Sequence, residues 1–287
     1  MNVVRTKVEL RAALEPARRA GRAIGLVPTM GSLHEGHLSL LRAARDRCDM
    51  VVMSLFVNPA QFAPDEDLES YPRDEARDLE LAGRAGADLV YAPAAEEVYP
   101  EGFTTWVEVG GGLTDVLCGA PGRRGPGHFR GVATVVAKLL NSVGPGVTFF
   151  GQKDAQQAIV IRRMVRDLDF PVEIEVLPTV REPDGLAMSS RNAYLSPRER
   201  ARARALARGL EAVRGAAESG EKRVEVALDA ARAELERAGI EPEYLEARDA
   251  ERLTPAASFD GRPVLVAVAA RVGTARLIDN VVIEGGS

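Results

Sequence analysis

Cysteine is scarce in this chain of 287 residues: Cys48 and Cys118 are the only two. They lie too far apart for a CxxC pair, so neither a disulfide framework nor a thiolate metal site is expected. Both read as buried small hydrophobes in a reducing compartment. Long apolar runs are missing too. Nothing approaches the roughly 20 residues of a membrane span, and the opening MNVVRTKVELRAALE lacks the apolar block of a signal peptide, so a cytoplasmic location without a membrane partner is expected. There is no basic excess: the formal net charge of -5 excludes a general nucleic-acid binder, which needs a basic stripe for counterion release. Lysine is rare, with Lys7, Lys138, Lys153 and Lys222 the only ones among 37 basic residues, an arginine bias that genome composition and heat adaptation explain equally well. Histidine is rarer, at three. Two of these form His34-x-x-His37, but no third ligand stands at zincin spacing, so no protein-held metal is expected. Internal repeats are absent.

What is present is an ordinary globular composition, 46% hydrophobic, in a chain long enough for about two domains. Up to about Pro178, apolar runs alternate with helical patterns, as βαβ units around a parallel sheet require. Strands are expected at Ile24–Val27, Met50–Phe56, Asp88–Tyr91, Val147–Phe150 and Val172–Val176, with helices at Glu75–Ala85 and Val132–Val143. Beyond Pro178, Ser196-Pro197-Arg198-Glu199 opens a helix with a capping box and a proline at its first position, and Gly220 closes it. A second helix follows before Gly239, then strands at Tyr244–Ala247, Pro263–Val272 and Ala275–Ile283, the last two joined as a hairpin at Gly273-Thr274. The expectation is an α/β protein: a Rossmann-like parallel-sheet domain over residues 1–178 and a smaller α+β domain over 179–287, suited to act as a lid.

The polar motifs follow strand ends, where open α/β sheets bind ligands. After the first strand, VPTMGSLHEGHLSLL turns through glycine into a helix whose apolar face carries Leu33, His37, Leu40, Leu41, Ala44 and Cys48. Such a turn offers unpaired backbone N–H groups and a positive dipole end, a seat for phosphate, with His34 and His37 as further donors. A buried core histidine remains the competing reading of His37. The second strand ends at Asn58-Pro59-Ala60-Gln61, two amides suited to a hydroxyl or carboxylate, though Asn58 also suits a turn cap. The acidic PDEDLESYPRDEARD after it reads as a solvated loop and helix start, with Tyr71 a candidate pocket residue. Arg123, Arg124, His128 and Arg130 fall in a glycine-rich segment before an apolar helix, which reads either as a mobile basic lid or as an exposed loop. Past Val147–Phe150 comes Gly151-Gln152-Lys153-Asp154-Ala155-Gln156-Gln157, whose lysine suits a phosphate-facing ammonium. Met188-Ser189-Ser190-Arg191-Asn192 at the domain junction can close over phosphates.

Taken in order, PTMGSLHEGH, SLFVNPAQF, YPRD, HFRGV, FFGQKDAQQ and PTVREPDGLAMSSRN resemble the pantoate–β-alanine ligase family of the HxGH nucleotidyltransferase superfamily, over nearly the whole chain. Ala155 departs from the tyrosine expected in many relatives. The resemblance implies ATP-dependent joining of (R)-pantoate to β-alanine through a pantoyl adenylate, releasing AMP and diphosphate. It implies a catalytic role for His37, His34 and Lys153. It assigns ATP to Met30, Gly31, Ser32, Leu33, His34, Glu35, Gly36, His37, Gly151, Gln152, Lys153, Asp154, Val180, Met188, Ser189, Ser190 and Arg191. Gln61 and Gln157, with Asn58 and Tyr71 nearby, are implied for pantoate, and Gln61 also for β-alanine. Magnesium is implied with ATP, on no named protein ligand, and the partner is implied to be a second copy in a homodimer. A phosphopantetheine-type adenylyltransferase would share the histidine motif but yield an adenylylated product, and a non-catalytic nucleotide-binding regulator would show no turnover.

Overall fold

The structure, a computed structural model, describes residues 1–62, 68–69 and 71–285. The chain begins with β1 (Asn2–Val4) and α1 (Lys7–Arg19), then β2 (Ile24–Thr29), α2 (Glu35–Arg47), β3 (Met50–Leu55), α3 (Glu75–Arg84), β4 (Leu89–Tyr91) and the short α4 (Ala95–Val98). The long α5 (Gly125–Val143) leads to β5 (Val147–Gly151), α6 (Ala155–Asp167) and β6 (Glu173–Leu177). Next come α7 (Pro197–Glu218), α8 (Val224–Arg237) and three closing strands, β7 (Pro242–Asp249), β8 (Val264–Val272) and β9 (Ala275–Ile283).

The first six strands form one parallel sheet in the order β1-β4-β3-β2-β5-β6, and β7-β8-β9 form a separate antiparallel sheet. This is the expected Rossmann-like sheet with a smaller α+β unit. The chain runs outward from β2 through β3 to β4, then returns to lay β5 on β2's other side. The topological switch therefore lies between the carboxyl ends of β2 and β5, where ligands bind in open α/β sheets.

Helices cover both faces of the parallel sheet. Leu10, Leu14 and Ala17 of α1 share a core with α5 and with Val160, Ile161 and Met164 of α6. Leu40, Leu41 and Ala44 of α2 pack on the opposite face with Ala82 of α3. The near-continuous apolar run of β8 has a period-two explanation. Leu265, Ala267 and Ala269 point into the first core, whereas Val264, Val266, Val268 and Ala270 point under α7 and α8. The second sheet is thus buried on both faces and forms part of the wall of the first unit.

The N-terminal stretch, where the sequence expectations place no element, contains β1 and a capping-box helix, with Thr6 and Glu9 exchanging hydrogen bonds across the first turn of α1. One sequence expectation needs correction. The glycine-rich basic stretch is not all loop, because α5 starts at Gly125, seven residues before the expected Val132. Pro126 suits a first helical turn. Gly131 lets the helix approach closely, since a Cβ there would stand 2.1 Å from the Ala60 carbonyl oxygen.

Candidate active site

A cleft opens at the β2/β5 switch, walled by the parallel sheet, α5, the 178–191 segment and the second sheet. Strand β2 ends in a turn that two left-handed residues bend sharply, Gly31 at φ +86° and Ser32 at φ +53°. The conformation at Ser32 is costly for a residue with a Cβ and must be held from outside. Asp78 of α3 holds it: its carboxylate accepts from Ser32 N at 2.8 Å and Leu33 N at 2.7 Å, and the residue is only 2% exposed. Gly31 leaves room for that carboxylate, because a Cβ there would stand 2.9 Å from Asp78 Oδ2.

This corrects the reading of the turn as a row of free N–H groups. The Ser32 and Leu33 amides are occupied within the protein. Leu33 is buried in the α2 core, Glu35 is exposed and paired with Arg42, and Gly31, Ser32, Leu33 and Glu35 do not line the cleft. Nor is the acidic segment wholly solvated. Residues 63–67 and 70 lie outside the described residues, Asp74 caps α3 by accepting from Arg77 N, and Asp78 is buried.

His34 and His37 form the next layer, and they replace the usual Ser/Glu capping box with two imidazoles. His34 Nδ1 accepts from Gly36 N at 3.2 Å, and His37 Nδ1 accepts from His34 N at 3.4 Å. Because a backbone N–H only donates, each ring carries its proton on Nε2. The rings lie 4.1 Å apart at 37°. Burial and then the positive charge of Lys153 lower His34 to about 4. Burial, His34 and Lys153 together lower His37 to about 3. Both line the cleft as neutral N–H donors at neutral pH.

Lys153 lies in the tight turn after β5, its Nζ 3.5 Å from Asp154 Oδ2. Enclosure by the cleft walls would raise the Asp154 carboxyl, but the charges of Lys153, Arg124 and Arg191 hold it below the ordinary range. Gln152 turns away from the cleft: its Nε2 donates to Asn280 Oδ1 at 2.9 Å, while Asn280 Nδ2 donates to the carbonyls of Gln152 and Lys153. β9 therefore clamps the lysine turn, a contact across 127 residues that no local pattern announces.

On the opposite wall, Asn58 both caps the turn Pro59–Gln61 and donates from Nδ2 to Gln61 Oε1 at 2.9 Å. Tyr71 is buried, with the Arg191 guanidinium 6.0 Å above its ring. The basic segment divides. Arg123 donates to the carbonyls of Leu117 and Glu243 and stacks on Tyr244, while Arg130 stacks on Trp106, so neither is part of a lid over the cleft. Arg124 and His128 do line it. His128 stands in the first turns of α5 and donates from Nδ1 to the Gln61 carbonyl at 2.7 Å, leaving an Nε2 lone pair, the opposite tautomer to His34 and His37. Burial, then Arg124, lowers it to about 3.

The connecting segment returns as a tight hairpin in which Met188 N donates to the Val180 carbonyl and Arg181 bridges Ala187. Arg181 grips the buried Asp279 of β9 through two bonds of 2.6 and 3.0 Å. That hairpin brings Val180, Met188, Ser189, Ser190 and Arg191 to the cleft. Of the other expected residues, Met30, Gly36, Gly151, Lys153, Asp154, Gln61, Asn58, Tyr71 and Gln157 line it as well. Residues not anticipated there include Cys118, Tyr244 and Arg276, which meet at the second sheet, with Cys118 Sγ 3.2 Å from the Tyr244 hydroxyl. Among the described residues no three His, Cys, Asp or Glu side chains gather as a metal site, and no helix is long and apolar enough to cross a membrane.

Known proteins can be compared with this geometry. The sequence model of the pantoate-beta-alanine ligase family matches residues 2–282. Pantothenate synthetase of Moorella thermoacetica is 54% identical over 285 residues, covering 99% of each chain, and that of Myxococcus xanthus is 53% identical over 285 residues, covering 99% of this chain and 96% of its own. The crystal structure of pantothenate synthetase from Thermus thermophilus superposes with a TM-score of 0.91 at 50% identity, covering 98% of this chain and 99% of its own. Pantoate-beta-alanine ligase from Francisella tularensis, complexed with beta-gamma ATP and beta-alanine, does so with a TM-score of 0.81 at 29% identity, covering 100% and 99%. The chain belongs to the pantoate–β-alanine ligase family.

Proposed function

We propose that the protein joins pantoate to β-alanine at the expense of ATP, through an acyl adenylate. The observation that carries this reading is the meeting of two neutral Nε2–H donors, on His34 and His37, with the Lys153 ammonium at the sheet's switch point. In the first step a pantoate carboxylate oxygen bonds to the α-phosphorus and the bond to the bridging oxygen breaks, so charge moves onto diphosphate. His37, His34 and Lys153 face that charge as preorganised donors. In the second step the β-alanine nitrogen bonds to the acyl carbon, AMP departs with the bonding pair, and the nitrogen loses a proton. Gln61 and Gln157 hold pantoate, with Asn58 and Tyr71 behind them. Gly151 and Asp154 hold the nucleoside, Val180 meets adenine through its backbone, and Met188, Ser189, Ser190 and Arg191 close over the phosphates. Met30 and Gly36 line the nucleotide's path, while Gly31, Ser32, Leu33, Glu35 and Gln152 act from behind as its scaffold.

Magnesium enters with ATP. The donor set fits an ion carried on phosphate oxygens and water rather than in a protein cage, since no cluster of three candidate ligands exists among the described residues. Such an ion would neutralise β- and γ-phosphate charge. Residues 1–178 form the nucleotide- and pantoate-binding unit and 179–287 the lid, the protein works as a homodimer by family analogy, and two free buried cysteines suit the cytoplasm. The test is incubation with ATP, magnesium, pantoate and β-alanine, with products read by mass spectrometry. AMP and the amide are expected, and ADP with phosphate would refute the adenylate route.

A further inference from the structure

Asn58 is 1% exposed, and its amide has no capacity left over. Oδ1 accepts from the Tyr99 hydroxyl at 2.8 Å and from Ala60 N at 3.3 Å, while Nδ2 donates to Gln61 Oε1 at 2.9 Å and to the Gly131 carbonyl at 3.1 Å. The Gly131 carbonyl can only accept and Ala60 N–H can only donate, so the amide has one orientation. The Tyr99 hydroxyl must then be the donor in its contact, and Gln61 must spend its oxygen on Asn58. The face that Gln61 keeps for the cleft is its N–H pair.

Tyr99 does not itself line the cleft and is held by an aromatic assembly that borders it through Phe56. It follows α4, its backbone N–H donates to the Ala95 carbonyl, and its ring is packed by Phe103 at 5.1 Å and Trp106 at 6.0 Å. Phe56 stands 6.4 Å away, and Lys138 lies over the Phe103 ring at 4.5 Å. Trp106 remains 41% exposed, an unusual position for the chain's single tryptophan unless it serves the ring beneath it. Burial pushes the Tyr99 phenol up to about 12, so it stays protonated and able to donate.

We infer that Tyr99 is a positioning residue that acts through Asn58 to fix the Gln61 amide with its N–H face toward the cleft, making this subsite selective for an acceptor, a carboxylate or hydroxyl oxygen of the acid substrate. The inference rests on the proposed reaction. It assigns Asn58 to orienting Gln61, since Asn58 can bind substrate only by releasing one of its four partners.

Tyr99→Phe tests it, because the substitution keeps the ring in its aromatic assembly and removes only the donor. The KM for pantoate should rise on the order of tenfold, as for loss of one hydrogen bond in a buried chain. The KM for ATP should stay within about twofold and kcat should fall less than KM rises, since the pair binds ground and transition states alike. Trp106 fluorescence and the melting temperature should stay close to wild type, which certifies the packing. In a Gln61→Ala background the same substitution should add nothing, because its only route to substrate is gone. An unchanged pantoate KM, an equal rise for ATP, or full additivity with Gln61→Ala would each overturn the inference. If instead the wild-type protein forms no amide and AMP from pantoate, the proposed reaction fails, independently of Tyr99.

Discussion

The two histidines of HEGH show how a residue can be legible in sequence while its chemistry is not. Their spacing suits phosphate, and His37 lies on the apolar side of α2 without joining Leu40, Leu41 and Ala44 among that helix's buried residues; it lines the cleft instead. What spacing could not give is the tautomer, which follows from the backbone N–H groups on each Nδ1. His37→Gln retains a donor of similar reach, so the fold should persist while kcat drops by roughly 10²- to 10³-fold, the usual cost of one preorganised donor. A large loss of melting temperature with kcat preserved would return His37 to a packing role. The lowered values of His34 and His37 also make a pH prediction. The unfolded chain takes up protons as pH falls below about 6.5, whereas the native rings resist until about 4 and 3, so stability is full above 6.5 and declines between 6.5 and 4. His37→Gln should make that decline in melting temperature shallower, with His34 and the similarly lowered His128 supplying the remainder, and an equally steep slope would show that His37 does not contribute. Lys153 is simpler. Among the described residues its ammonium forms an ion pair with neighbouring Asp154, so Lys153→Ala should leave folding intact and cost about 3 kcal/mol of barrier. Turnover near wild type would remove Lys153 from the mechanism.

At the scale of elements, period and punctuation found five of the six parallel strands, β2 to β6, with α2, α3 and α7, to within a residue or two, because each carries its own signal in neighbouring residues; the edge strand β1, at three residues, is too short to show a period. The misses are cases where the signal lay elsewhere. The start of α5 looked like loop because Gly125, Gly127 and Gly131 disfavour helix, yet Gly131 is what lets that helix reach the Pro59–Gln61 turn. Asp78 was hidden in an acidic run that reads as solvated, and its partners are 45 and 46 residues away. Its role as the anchor between α3 and the His34 turn can be tested directly. Asp78→Asn replaces one acceptor by an NH₂ facing a backbone N–H, which should cost about 1–3 kcal/mol of stability and release the left-handed Ser32. Thermal unfolding should register the first effect and a raised KM for ATP the second. Stability and KM both at wild-type values would mean that the turn holds itself.

At the scale of the molecule, two sheets of different kinds share one core, and the second is tied to the Gln152–Lys153 turn of the first by Asn280 and to the connecting hairpin by Asp279. These ties matter because an acyl adenylate is easily lost to water, and neither cysteine lies in the motifs, nor does their sequence show a Ser-His-Asp arrangement, to carry the acyl group instead. Labelled diphosphate should therefore exchange into ATP with pantoate present and β-alanine absent, since the first step is complete and reversible without the amine. A requirement for β-alanine would sink the two-step order. The same logic assigns a measurable duty to the interface. Asn280→Ala removes two donors and one acceptor that hold the Gln152–Lys153 turn against β9, so the cleft should admit water more readily while the first step still runs. The expected result is exchange retained within an order of magnitude, with AMP released in excess over amide by roughly a few fold when β-alanine is limiting. A ratio of AMP to amide that stays at one, with exchange intact, would mean that the second sheet frames the cleft without guarding the intermediate.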